Sequence, residues 1–201
     1  MMLLHDKTTH DALTVVCGKH YVVYAVCEFR GVEGEGAFTF ALEAAGAILI
    51  WIDIHGELGM AFEDEAFFSL FHAVSAFCNA GFSNFAQGLG NPLILDRDFL
   101  IFWVIAFLII SGGIGYPVLV ELRNALKRRI GHSHNFSVNT RIVLITTAIL
   151  IFGGAALLAI FEWNSTFAGR GVFWKLTQAF FNSVSPRTAG FISVDLTGFC
   201  T

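Results

Sequence analysis

Phe71-His-Ala-Val-Ser-Ala-Phe-Cys-Asn-Ala-Gly-Phe-Ser83 decides the reading of this chain, because it returns in altered form as Phe181-Asn-Ser-Val-Ser-Pro-Arg-Thr-Ala-Gly-Phe191. In the first stretch Phe71-x-x-Val74-Ser75 leads to Asn79-Ala80-Gly81-Phe82. In the second Phe181-x-x-Val184-Ser185 leads to Thr188-Ala189-Gly190-Phe191, one residue sooner. A shared Ala-Gly-Phe alone would say little in a chain with 22 Phe and 20 Gly. Context gives it weight. Each copy closes an apolar segment of about a dozen residues, Ala66 to Phe77 and Val172 to Val184, or about 18 Å of helix at 1.5 Å per residue. That length reaches only partway through a bilayer.

Working outward, each half-length segment follows a longer apolar one. Phe38 to Ile54 precedes the first across an acidic connection, and Ile142 to Phe161 precedes the second. Between the copies, Phe99 to Val120 is the longest uncharged run and is expected to be one spanning helix. The pattern is an internal repeat: spanning helix, connection, half-helix, irregular turn, with a returning helix after the first copy. Composition agrees, since 55% hydrophobic and 14% charged residues with a mean hydropathy of +0.67 place the chain in a bilayer. The expected fold class is an all-α integral membrane protein built from membrane–pore–membrane repeats with re-entrant pore helices.

Arg123, Lys127, Arg128, Arg129 and Arg141 fall on one connection, which the positive-inside bias places in the cytoplasm, so that the two turn regions open to the outside. The start, Met1 to Lys7, lacks the basic and apolar regions of a signal peptide. Leu13 to Cys27 is too short and too polar to span and reads as a lead-in. Cys17, Cys27, Cys78 and Cys200 have no disulfide or zinc spacing, and neither Cys17, His20 and Cys27 nor His132 and His134 supply a metal-ligand set.

Non-helical backbone at membrane depth is tolerated only where protein buries it or where it lines a watery path, since each unpaired group otherwise costs several kcal/mol. Rings of backbone carbonyls can replace the hydration shell of a monovalent cation. Aiming successive carbonyls at one axis requires unusual dihedrals, which gives Gly81 and Gly190 a reason to be glycine. The carbonyls of Asn79, Ala80 and Gly81, and of Thr188, Ala189 and Gly190, are the expected ion ligands, with both half-helices directing their negative C-termini at the ion. No metal is expected beyond the transported ion, and no catalytic residue.

These stretches resemble the Trk/Ktr/HKT superfamily of potassium transporters, over roughly Phe38 to Leu196. Phe71 to Ser83 is similar to the second pore loop of the TrkH/KtrB-like membrane subunit, Ser111-Gly-Gly-Ile-Gly-Tyr-Pro-Val-Leu119 to the helix that follows, and Ser183 to Phe191 to the third pore loop. The resemblance implies a poorly matching lead-in at 1–36, a complete second repeat at 37–126, a basic cytoplasmic connection at 127–140, and an incomplete third repeat at 141–201. It implies potassium uptake across the cell membrane without enzyme activity or cofactor, and sodium or a proton as candidate coupling ion. Its implied partners are the lipid bilayer, a second copy in a homodimer, and a cytosolic nucleotide-binding regulatory subunit facing the connection from Leu122 to Arg141. Nucleic acid is not among them. The competing expectation is a truncated, non-conducting membrane fragment of such a transporter.

Several residues carry two readings. Asp53, Glu57, Glu63, Asp64 and Glu65 either concentrate cations at the mouth or form a solvated loop. Gly112, Gly113, Gly115 and Pro117 allow close helix packing, including a Ser111-x-x-x-Gly115 spacing, or a hinge. Glu43 is either a functional intramembrane acid or a side chain that snorkels from the cytoplasmic end of its helix. His72 reads as a hydrogen-bonding or packing residue ahead of an ion ligand. Arg187 is expected to turn away from the path and pair with backbone or an acid.

Overall fold

Helices form where the apolar segments require every backbone group to be satisfied internally. A computed structural model describes residues 35–85, 88–95, 99–127 and 136–194. The lead-in before residue 35, and Gln87, Arg128, Arg129, His132, His134 and Cys200, lie outside the described residues. The chain divides into two compact units, Met1–Ala41 and Leu42–Thr201. In the first, the described residues are the opening turns of a helix, and apart from the bounds of that helix everything below concerns the second.

The described residues are all-helical, with no strand. α1 runs Glu35–Ile54, α2 Phe62–Phe77, α3 Pro92–Leu95, α4 Phe99–Gly113, α5 Tyr116–Lys127, α6 Val138–Glu162 and α7 Val172–Thr188, with a 3-10 turn at Gly88–Gly90. Among them α1 over Ala37–Ile54 and α6 are long and apolar enough to cross a membrane, and α4 with α5 makes a third crossing if counted as one bent segment. Ile142, Ile145, Ile149 and Phe152 form an outward stripe on α6, each at least 59% exposed, which suits lipid rather than water. α2 and α7 are the half-length helices.

α4 packs against both α2 and α7, and α6 lies along α7. The core joins the two copies of the repeat. Phe102 of α4 meets Phe181 of α7 edge-on at 5.1 Å, and Trp103 stacks on Phe180 at 4.8 Å. Small residues set the closest approaches, as a small-residue interface does in membranes. Leu108 fills the space left by Gly46, and α4 rests at Gly112 on the Phe77 carbonyl, where any Cβ would collide.

The single helix expected from Phe99 to Val120 does not form. α4 stops at Gly113 and α5 leaves at 107° to it. Gly115 has φ +84°, a left-handed value that interrupts the helix, and Pro117 brings a ring without an N–H. Of the two readings of this glycine run, Gly112 serves packing and Gly115 serves the break. α7 likewise departs from expectation by continuing through Pro186 to Thr188, so Arg187 and Thr188 belong to its last turn and not to an irregular stretch.

Candidate functional site

α2 ends where its last carbonyls find N–H groups in the turn that follows. Asn79 N–H donates to the Ala76 carbonyl (3.1 Å) and Ala80 N–H to the Ser75 carbonyl (2.8 Å), with Asn79 left-handed at φ +54°. This is the Schellman arrangement, and Asn tolerates the left-handed position better than most residues. α7 ends with Ala189 N–H (3.0 Å) and Gly190 N–H (2.7 Å) both donating to the Ser185 carbonyl. Gly81 (φ +70°) and Gly190 (φ +82°) then turn the chain away from the helix axis.

Behind each loop the helix supplies a serine. Ser75 Oγ donates to the Phe82 carbonyl and accepts from Phe82 N–H, both at 2.9 Å, while Ser185 Oγ donates to the Phe191 carbonyl at 2.8 Å. Three residues earlier stands a polar strut. His72 bonds Phe68 O through Nδ1 and Ser83 Oγ through Nε2, each at 2.9 Å. A carbonyl can only accept, so Nδ1 carries a proton, and both ring nitrogens are engaged by protein. Asn182 donates to the Gln178 carbonyl (2.8 Å) and to Ser193 Oγ (3.0 Å), and Ser193 donates to Gln178 Oε1 (2.8 Å). His72 is therefore a hydrogen-bonding residue.

The two segments that carry the six expected ligand residues touch each other. Asn79, two residues beyond the end of α2, and Thr188, last residue of α7, are hydrogen-bonded side chain to side chain at 2.7 Å. The loops touch through backbone as well: a Cβ on Gly81 would run into the Ala189 carbonyl, whereas Gly190 faces open space. A second tie, which the sequence did not reveal, joins Leu89 N–H to the Ile192 carbonyl at 3.0 Å. Gly88 and Gly90 flank it, with a Cβ on either coming 3.0–3.1 Å from the carbonyls of Ile192 and Ser193. Two glycines around one apolar residue were the available signal, and they resembled an ordinary turn.

The charged residues divide. Asp53 lies in α1, where its carboxylate accepts from Ile101 N–H (3.0 Å) and satisfies one of the free donors at the start of α4. Glu65, 2% exposed, accepts from His55 Nδ1 (2.8 Å) and Gly56 N–H (3.0 Å). The His55 bond, then the Gly56 bond, holds its carboxyl below the usual carboxylate range. Neither acid is part of a solvated mouth. Glu43 is 4% exposed, so its side chain is enclosed by protein, which does not suit the snorkelling alternative. The Arg187 guanidinium turns toward α4, with Nη2 3.9 Å from where a Cβ on Gly113 would lie. Its buried Nη1 has no hydrogen-bond partner among the described residues, so the expected pairing is not found at that atom.

Comparison with known proteins finds relatives of this sequence. The family model TrkH, "Cation transport protein", matches residues 36–200. The potassium/sodium uptake protein NtpJ of Enterococcus hirae is 34% identical over 160 residues, covering 79% of this chain and 33% of that protein. Ktr system potassium uptake protein B is 33% identical over 163 residues in Vibrio alginolyticus (80% of this chain, 34% of that protein) and 35% over 166 residues in Bacillus subtilis (79% and 34%). The chain thus spans about a third of the length of these curated relatives.

Proposed function

Since the chain belongs to the TrkH cation transport family, a family of multi-pass membrane transporters and not of enzymes, we propose that its paired loops form part of a selectivity filter for potassium uptake. The backbone of Asn79 to Gly81 and of Thr188 to Gly190 supplies two sides of the coordinating ring. The observation that carries this reading is the junction of the two loops, where Asn79 and Thr188 meet and Gly81 abuts the Ala189 carbonyl. Two helix C-termini are thereby held close together, each equivalent to about half a negative charge. At membrane depth such ends repel one another. A dehydrated monovalent cation between them offsets that repulsion, and Arg187, the basic residue in this last turn, points at α4 instead.

On this reading residues 37–126 are one complete membrane–pore–membrane repeat and residues 141–201 contribute the leading part of another. The basic connection between them faces the cytosol, the loops open outward, and sodium or a proton is the coupling ion. The name "Ktr system" given to two of the relatives suits a membrane subunit working with others; a homodimer bound to a cytosolic nucleotide-binding subunit is the assembly we propose.

The test is a graft. Residues 36–200 replace the matching segment of the Bacillus subtilis relative, and uptake of rubidium and sodium is measured in cells lacking other potassium uptake. The graft should transport, and Gly81→Ala within it should abolish the preference for rubidium. A graft that keeps its preference with both Gly81 and Gly190 changed to Ala sinks the filter assignment.

A further inference from the structure

The Asn79 side chain reaches beyond the loop to which it belongs. Two orientations of its amide are open: in one the oxygen accepts from Thr188 Oγ1 (2.7 Å) and the nitrogen donates to the Phe77 carbonyl (3.3 Å), and in the other, which makes more hydrogen bonds, the nitrogen donates to Thr188 Oγ1 (2.7 Å) and to the Ile109 carbonyl (3.2 Å) while the oxygen accepts from Gly113 N–H (3.2 Å). Ile109 and Gly113 are four residues apart, so they are the acceptor and donor of a single rung of the α4 ladder. In the second orientation the amide of Asn79 engages both halves of this rung, which stands one rung ahead of the last, Ile114 N–H to the Ile110 carbonyl (3.0 Å), before the 107° break. Side chains that enter the ladder in this way are among the recognised causes of sharp helix kinks.

The surroundings fit the insertion. Gly112, next to the rung, has no room for a Cβ because the Phe77 carbonyl occupies that position, which brings α4 against the end of α2. A Cβ on Gly113 would lie 3.6 Å from Thr188 Oγ1. The left-handed backbone of Asn79 is what turns its side chain out of the loop and toward α4, and Asn is one of the few residues that both accepts this conformation and carries a donor and an acceptor. Asp could not donate to the Ile109 carbonyl, and Gly could do neither.

We propose that Asn79 is a positioning residue that locks the two filter loops to the α4–α5 break, so that loop geometry and the bend at Gly113–Gly115 change together. This rests on the reading of the loops as a filter. A shift of α5 about the break would act on the rung, the rung on the Asn79 amide, and the amide on Thr188 across the path. Carbonyl spacing, and with it preference among monovalent cations, is then controlled from a helix that lines neither loop.

Two measurements on the chain in lipid nanodiscs test this. The first is hydrogen exchange at Gly113. The second is the difference in thermal midpoint between potassium chloride and sodium chloride, which reports preferential binding to the folded form. Asn79→Gly keeps the left-handed backbone at no steric cost and removes only the amide. It should speed exchange at Gly113 by about tenfold, the equivalent of one net hydrogen bond, and erase the potassium–sodium difference. Thr188→Val removes the link between loops alone, and should erase the cation difference while exchange at Gly113 stays as in the parent.

Unchanged exchange at Gly113 in Asn79→Gly overturns the lock, and an unchanged cation difference in that variant reduces the amide to a structural bond and overturns the proposal. If the parent itself shows no potassium–sodium difference, the filter reading fails, and the link to α4 is still decided by exchange. Should Asn79→Gly fail to fold, Asn79→Asp, which cannot donate to the Ile109 carbonyl, takes its place with the same two readouts.

Discussion

The two loops share a framework and differ in what surrounds it. In both, a serine of the half-helix ties down the Phe of Ala-Gly-Phe, and a polar side chain one turn earlier, His72 or Asn182, reaches a serine eleven residues on. In both, a glycine at positive φ turns the chain. Yet Phe82 is 69% exposed and Phe191 only 3%, and a Cβ has no space at Gly81 but ample space at Gly190. The hydrogen-bonding frame is thus what the repeat preserves, because unpaired backbone at membrane depth is costly in either copy. Side-chain packing follows the neighbours, which are not the same for the two.

The sharpest way to break the comparison is to add one methyl group to each loop. Gly81→Ala combines left-handed strain of about 1–2 kcal/mol with a collision against backbone that cannot rotate away, at about 1–3 kcal/mol more. Gly190→Ala carries the strain alone. Unfolding midpoints in detergent should fall well below the parent for the first and modestly for the second. Equal losses would mean that the loops are not in the contact described.

A smaller effect separates the serines. Ser75→Ala leaves both the N–H and the carbonyl of Phe82 unpaired, and Ser185→Ala leaves only the carbonyl of Phe191. At about 1 kcal/mol net per hydrogen bond, Ser75→Ala should cost about twice as much. Burial acts the other way, since the second site is fully enclosed and the first is only partly so. Denaturant titration of the two variants decides: the reverse order would show that desolvation outweighs the number of bonds.

What the sequence disclosed follows from where its signals arise. The half-helices, the all-helical fold and the turns that follow the half-helices were legible because short apolar length and a repeated Ala-Gly-Phe are local properties. The break after Gly113 was not legible. An uncharged run from Phe99 to Val120 looks continuous by hydropathy, which does not register the left-handed backbone of Gly115 or the ring of Pro117. Asp53 and Glu65 were misplaced for a related reason. An acid among other acids reads as solvated, and only tertiary structure reveals Ile101 N–H at one carboxylate and His55 with Gly56 at the other.

The smallest predicted effect lies where the half-helices begin, and there the copies use opposite charges. The fourth residue of α2 is Glu65, which holds the turn at His55 and Gly56; the fourth residue of α7 is Lys175, whose Nζ donates to the Trp163 carbonyl at 2.6 Å. Both side chains fasten a half-helix to the connection before it, but only the first involves a carboxylate held below its usual range by its hydrogen bonds. A folded-state pKa below the unfolded one gives stability that is complete at neutral pH and is lost as the pH falls from the usual carboxylate range through the lowered value. The parent should therefore lose part of its margin over Glu65→Gln on acidification, read as converging thermal midpoints, while its margin over Lys175→Met stays constant across the same interval. The shift will be modest, since the His55 side chain is 54% exposed and water screens the pair. A margin over Glu65→Gln that does not change with pH would mean that the carboxylate charge contributes nothing to fastening α2, and that the two copies are anchored by geometry alone.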